Sequence, residues 1–560
     1  MSDRTNSSLL FKGLRSITVA RLLSTAVGIA SFWILARTLR AFYYSLRWPV
    51  SICPDAALHW VEGLRLLNGT WPYRDVLTLN LPLTYYINVL GLLVFGRDSF
   101  SFRILDLSWV VGVAVLSSLY LLRFTRLGAL VAFVLVSRLP VEATPLGAFE
   151  RETLMLPFWL GAVLCLDRAM DVPKKRWLWL GLAGLLGGAS ALIKPTGLVF
   201  LALGGLYYVF FAIYRASAPK KIPATLVAGL WTSSGFVLAV VLLLLPLLMA
   251  GALTGFLNGW WPYFQVWSEL EPHRPFMSLL VELFSYRLRD LTLPLNGPVY
   301  ELGSIGHLSW LHLIALPLFL HALYLEKERA AAGCLVLAIG GLFHYLINGK
   351  GYAYHVFPLW FAFQLILAYT LGVYVRWAVD AGAVRSRRVY ATCLALGLVA
   401  VLIHMDLRSY DLYSGSNYLS DGPLAEPESQ RVVGEAVQKY GLAGARLQTL
   451  EPDLVTVAAT LTYDLQLVGN PMDQMYWCDG EFCQSQRRLL IDRLDQEPPE
   501  IIVIAGAPPD SSRMRNLAAF RELNEVLRSE YALFAEAGRS PHYVFVRSDL
   551  SGTRPSRLPW

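Results

Sequence analysis

The sequence predicts an all-α polytopic membrane protein with about eleven transmembrane helices, interfacial helices in its first outer loop, and a C-terminal extracytoplasmic α/β domain. Three observations predict it. The 560 residues are 55% hydrophobic and 16% charged, with a mean hydropathy of +0.47, whereas charged residues make up about a quarter of a soluble domain. Many apolar runs approach the roughly 20 residues that a helix needs to cross a bilayer. Lys and Arg gather in the short loops on one side, the asymmetry that marks cytoplasmic loops. The net charge of +7 therefore belongs to membrane topology, and nucleic acid is excluded as a partner.

Arg4, Lys12 and Arg15 precede the first apolar span, about 16–42, and keep the N-terminus cytoplasmic. No clear small-residue cleavage site follows a short core, so this span reads as a retained helix. The loop 45–100 is then outside. Within it, Asp55–Leu67 has apolar residues at 57, 58, 60, 61, 64, 66 and 67, which suits an amphipathic helix lying on the interface. Residues 82–95 are apolar but short, and read as a second interfacial or re-entrant helix. Further spans follow at about 102–122, 127–141, 152–168, 177–193, 197–214, 222–251, 306–325, 330–347, 355–375 and 389–405. Every basic inter-helix loop then falls on the cytoplasmic side. The long outer loop 252–305 contains the aromatic segment GWWPYFQVW.

Composition changes at Asp406, which divides the chain into a transmembrane catalytic domain (1–405) and an extracytoplasmic domain (406–560). The strand-like runs RLQTL, IIVIAG, YALFAEA and HYVFVRS alternate with helical stretches that include 428–440 and 514–529. In an oxidising compartment, Cys478 and Cys483 are placed to form a local disulfide. The expected location is the plasma (inner) membrane.

Topology also sorts the unusual polar residues. Asp55, Glu150, Arg151, Glu152, Lys194, Lys350, Tyr352, Tyr354 and His355 all fall at the outer ends of helices or in outer loops. Charge at membrane depth is costly and usually faces a polar cavity. Carboxylates beside cations suit transfer of a sugar from a polyprenyl phosphate. One carboxylate activates an acceptor hydroxyl as general base, and cations hold the phosphate and stabilise its growing charge. Asp55, Glu150 and Glu152 are the catalytic candidates. Arg151, Lys194, Lys350, Tyr352 and His355, with Tyr73 and Arg74 of the first loop, are the substrate-binding candidates. Plainer roles stand beside these. Asp55 after Pro54 suits a helix N-cap, the two glutamates suit a helix start, and Lys194 suits snorkelling to the interface. His59 lies one turn after Asp55, a spacing that admits a divalent metal ion as a cofactor.

The first outer loop, PDAALHWVEGLRLLNGTWPYRD followed by NLPLTYY, resembles the first loop of the GT-C glycosyltransferases, and most closely the branch around the protein O-mannosyltransferases and the lipid A aminoarabinose transferases. LIKPTG and KGYAYHVFP are also similar to segments of that family. The resemblance implies inverting transfer from a polyprenyl-phosphate sugar, Asp55 as the catalytic carboxylate, and an acidic residue of GAFERE as a second. The sequence departs from the pattern at one place. The aminoarabinose transferases carry Glu-Lys immediately before the Pro of the first loop, and here Asn80 and Leu81 precede Pro82. The phosphate-binding role expected of that Lys then falls to Lys194, Arg151 or Lys350, or the donor differs.

Two other functions stay open at this point. A polysaccharide polymerase or O-antigen ligase would use a polyprenyl-diphosphate glycan and place its key groups in a late loop. A lipid-linked sugar transporter would show inverted repeats or broken helices near mid-membrane. Protein, lipid and glycan all remain as acceptors, because pockets for them differ by a few side chains that no sequence pattern exposes.

Overall fold

The computed structural model of the chain describes residues 3–47, 54–97, 99–139, 149–214, 221–270, 273–281, 283, 310–326, 328, 331–350, 353–379, 385–414, 428–450, 463, 465–468, 481–505, 512–537, 542–552 and 558. Helices dominate. Helix α1 (Asp3–Arg47) opens the chain and contains the apolar stretch Leu22–Tyr43. Helices α2 (Pro54–Leu67) and α3 (Pro82–Phe95) have 14 residues each. At 1.5 Å per residue they reach about 21 Å, short of a hydrocarbon core of about 30 Å. Both match the short helices read from the sequence.

Helices α4 (Ser99–Leu122), α5 (Arg126–Ser137), α6 (Arg151–Asp171), α7 (Arg176–Ala191), α8 (Gly197–Tyr208) and α9 (Lys221–Met249) follow. Then come α10 (Leu253–Leu270), α11 (Trp310–Glu326), α12 (Ala332–Asn348), α13 (Phe357–Val379) and α14 (Arg385–Ser414). Among the described residues five stretches are long and apolar enough to cross a membrane: Leu22–Tyr43, Phe100–Leu122, Arg151–Asp171, Pro223–Met249 and Phe357–Val379. Several of the other expected spans are shorter apolar helices, including α5, α12 and the region of α8. Helix α10 lies where the sequence suggested an outer loop, with Pro262 inside it.

The chain folds as two compact units. One comprises residues 1–45, 106–240 and 274–420, and the other 46–105, 241–273 and 421–560. The first is a helical bundle around α13, whose apolar stretch is buried along its whole length. Close crossings of its helices depend on small residues. A Cβ on Gly184 would lie 1.9 Å from the carbonyl oxygen of Thr232, and one on Gly235 would lie 1.9 Å from that of Gly181. These positions let α7 and α9 meet backbone to backbone, as small residues do within membranes. Helices α5 and α13 approach in the same way through Gly128 and Gly372.

The second unit combines α2, α3 and α10 with an α/β element. Helix α2 packs on α3 where Gly63 meets Asn88. The α/β element holds α15 (Glu428–Tyr440), β1 (Arg446–Thr449), β2 (Gln466–Leu467), α16 (Glu481–Gln496), β3 (Ile501–Ala505), α17 (Ser512–Ala519), α18 (Arg521–Glu530), β4 (Tyr531–Ala537) and β5 (His542–Arg547). The sheet order is β2-β1-β3-β5-β4. The β1–β2 and β1–β3 pairs are parallel, and β3–β5 and β4–β5 are antiparallel. Side chains alternate across a strand. Ile502, Ile504, Tyr543 and Phe545 therefore meet α16–α18, while Ile501, Val503, Val544 and Val546 meet α15.

The first of these two cores extends beyond the α/β element. It includes Tyr263 of α10, and Leu77 and Leu79 of the loop between α2 and α3. Polar contacts reinforce that packing. Arg493 donates to the Asp75 carbonyl at 2.6 Å, Trp260 Nε1 to the Leu79 carbonyl at 2.8 Å, and Arg65 to the Val468 carbonyl at 3.0 Å. Cys483 is buried in the same core and is disulfide-bonded. Cys478 lies outside the described residues.

Candidate active site

A set of buried charged and imidazole groups in the first unit begins at the N-terminus of α6. Glu150 is the N-cap residue, in extended conformation, and Arg151 and Glu152 are the first two helical residues. A helix N-terminus carries partial positive charge, so carboxylates are favoured there. Glu150 and Glu152 are both fully buried. A second contribution comes from the turn between α7 and α8. There the Lys194 amide donates to the Ser190 carbonyl at 3.1 Å, and the Lys194 carbonyl accepts from Gly197 at 2.9 Å. This turn points the Lys194 side chain inward, where it donates to Glu152 Oε1.

The third contribution comes from α12 and the turn after it. Gly349, at φ 67°, ends α12 in the left-handed conformation that suits a helix C-terminus. A single 3-10 turn, Ala353–Val356, then leads into α13. His344, on α12, and His355, in that turn, each bring Nε2 to 3.5 Å from Glu152 Oε1. The other nitrogen of His344, Nδ1, lies 2.8 Å from Thr196 Oγ1. Trp159 meets the His344 ring edge-on, stacks on Phe200, and donates Nε1 to Ser190 at 2.7 Å. One carboxylate thus lies among a lysine and two imidazoles, with aromatic rings closing the apolar side.

His355 is only 3% exposed and lies close enough to Lys194 to feel its charge. Burial draws the Lys194 ammonium below its ordinary value, although the Glu152 charge opposes this. At the opposite end of α6, Asp167 accepts from Arg123 at 2.9 Å and from Tyr207 at 2.6 Å. Charges within this span therefore sit near its two ends.

The structure brings Glu150, Arg151, Glu152, Lys194 and His355 into one neighbourhood, in which Lys194 feels the charges of both Glu150 and Arg151. Lys350 lies in the turn directly after α12. Tyr352 and the side chain of Asp55 lie outside the described residues, although Asp55 itself is on α2. His59 is buried on α2 in the second unit. Among the described residues no cluster of three or more His, Cys, Asp or Glu is arranged to hold a metal ion. Tyr73 and Arg74 also belong to the second unit, where they organise the α2–α3 loop. Tyr73 Oη bonds the Asn80 carbonyl, and Arg74 pairs with Asp75 and donates to the carbonyls of Gly69 and Ala250.

Sequence reasoning missed His344 and Thr196. The available signal was an ionisable residue inside the apolar run LFHYLIN, since such residues within a span usually have a role.

The family described as dolichyl-phosphate-mannose-protein mannosyltransferase matches residues 80–253. Among solved structures, ArnT from Cupriavidus metallidurans in the apo state is 14% identical over 92% of this chain and 97% of its own, with a TM-score of 0.52. The chain has the GT-C fold of membrane glycosyltransferases. Two structures of the Archaeoglobus fulgidus oligosaccharyltransferase give lower TM-scores. One is tethered to an acceptor peptide: 0.46 at 13% identity, over 92% of this chain and 74% of that one. The other is AglB with an inhibitory peptide and a dolichol-phosphate: 0.44 at 13% identity, over 91% and 74%. A search of curated proteins finds no match. Within this GT-C fold, the matched segment includes all of α6–α9 and the turn carrying Lys194.

Proposed function

We propose that the protein is an inverting glycosyltransferase that moves a sugar from a polyprenyl-phosphate donor to an acceptor hydroxyl at the outer face of the membrane. The observation that carries this reading is the buried Glu152–Lys194 pair with His344 and His355 at the start of a membrane helix. Such a group suits an anionic head delivered from within the bilayer. The description of the matched family names a dolichyl-phosphate sugar, which supports a donor of that class.

In the proposed step, the acceptor oxygen attacks the anomeric carbon and the bond from that carbon to the phosphate oxygen breaks. The hydroxyl proton passes to a carboxylate, and the polyprenyl phosphate leaves with the bonding electron pair. Asp55 is our candidate base on its place in the first-loop motif. Arg151, Lys194 and Lys350 are the candidates that bind the phosphate and stabilise its charge as it leaves. Glu152 and the two histidines hold Lys194 in place until the phosphate arrives.

The test is to incubate the purified protein in lipid nanodiscs with a panel of undecaprenyl-phosphate-linked monosaccharides, and to measure released undecaprenyl phosphate by mass spectrometry. Release from at least one donor, abolished in Asp55→Asn, is expected. No release from any of them, together with consumption of an undecaprenyl-diphosphate glycan, would overturn the reading in favour of a polymerase or ligase.

A further inference from the structure

Phe149, the residue before the acidic start of α6, has φ 55°. A bulky L-residue rarely adopts this left-handed conformation, and it persists when the surroundings enforce it. Phe149 is fully buried, and so is Glu150 after it. The surroundings come from α4. Asp106 Oδ1 accepts from the Phe149 amide at 3.1 Å, and Asp106 is itself only 2% exposed. One turn further along α4, Trp109 packs edge-on against the Phe149 ring at 6.1 Å and donates Nε1 to the Thr153 carbonyl at 3.1 Å. The cavity beside Asp106 is lined largely by Val110, Val113, Leu139 and Leu156.

We infer that Asp106, with Trp109, is a positioning residue. It holds the left-handed turn at Phe149 and so sets the directions in which Glu150, Arg151 and Glu152 leave the start of α6. Asp106 touches the backbone and takes no part in bond making. The inference rests on the proposed function only for the consequence to turnover. Misplacement of reacting groups by about 1 Å costs on the order of 100-fold in rate, and a change of backbone conformation at residue 149 would redirect the side chains that follow it.

The experiment compares full-length wild type, Asp106→Ala and Asp106→Asn, with Trp109→Phe as a second route to the same loosening. Hydrogen exchange of the peptide 149–156 should quicken in Asp106→Ala and, less strongly, in Trp109→Phe. Asn keeps an oxygen acceptor, so Asp106→Asn should exchange like wild type. With undecaprenyl-phosphate-linked monosaccharide, Asp106→Ala should lose about 100-fold in kcat and raise the donor KM, because Arg151 is among the groups proposed to hold the donor phosphate, and Asp106→Asn should recover most of both. Unchanged exchange at 149–156 in both Asp106→Ala and Trp109→Phe would overturn the inference. So would faster exchange with wild-type kcat. If Asp106→Ala does not fold, Trp109→Phe and Asp106→Asn decide the matter by the same readouts. Absence of turnover in the wild type would count against the donor reading alone, and the exchange measurement would still decide whether Asp106 holds the turn.

Discussion

Lys194 and Glu152 form an ion pair in which the lysine side chain is 8% exposed and the glutamate side chain is wholly buried. The pair joins the N-terminus of α6 to the turn between α7 and α8. Its position 42 residues apart in sequence makes it a tertiary contact. Taking two charges out of water is costly, and the contact persists because each charge has the other and because His344 and His355 border the carboxylate.

This relation makes an asymmetric prediction about stability. Lys194→Met leaves the Glu152 charge buried without its cation, and should destabilise the protein by about 3–5 kcal/mol. Glu152→Gln should destabilise it similarly. The double variant removes both charges and should recover much of the loss, since a buried pair can often be replaced by neutral groups at little cost. Thermal unfolding of all four proteins in the same detergent closes the cycle. Additive losses in the double variant would mean that the two side chains are not coupled.

Much of this site was legible because charge stands out in an apolar chain. Glu150, Arg151, Glu152, Lys194 and His355 could each be found by asking which polar residues fall at the outer ends of spans. The same question overlooks Asp106, because its bond to Phe149 is to a backbone amide 43 residues away, and a backbone group leaves no mark in the sequence. It also passes over His344, a single imidazole inside an apolar run whose partners Thr196 and Glu152 come from other helices. Helix α10 was hidden for a different reason. Its two glycines and Pro262 are weak helix formers, yet Gly255 lets the helix approach within contact of the Tyr73 carbonyl, and Gly259 does the same at Leu77. Tertiary packing there overrides weak local propensity.

A second prediction concerns the loop between α2 and α3. Arg493 of α16 holds the Asp75 carbonyl, and Leu77 and Leu79 pack into the same core as Leu490 and Leu494. Burial lowers the Arg493 guanidinium below its ordinary value while the Asp75 charge opposes that change, which places the two groups in one electrostatic environment. Arg493→Ala should remove a hydrogen bond from a charged donor and loosen the loop by about 1.5–3 kcal/mol. Hydrogen exchange across 70–80 should quicken, with exchange in α13 unchanged. Equal exchange across 70–80 in wild type and variant would show that the apolar contacts hold the loop alone.

A third prediction concerns acid. Glu500, before β3, accepts from the Arg446 amide at 2.7 Å and from the Arg446 guanidinium at 3.1 Å, with Arg547 at 3.7 Å. Burial pushes its carboxyl upward, but the Arg446 bonds and charge outweigh that effect and hold it below the ordinary value of 4.5. The folded state therefore binds this proton less readily than the unfolded state does. The resulting stabilisation is fully present above the unfolded pKa, and is lost as pH falls through the folded value. In wild type, the denaturant midpoint for loss of exchange protection at 542–547 should fall as pH drops from about 6 to 3, with exchange corrected for its intrinsic pH dependence. Glu500→Gln should start from a lower midpoint at pH 6, because the neutral amide loses the ionic bonds to Arg446, and should decline less steeply with acid. Parallel slopes in the two proteins would assign the acid sensitivity of this sheet to other carboxylates.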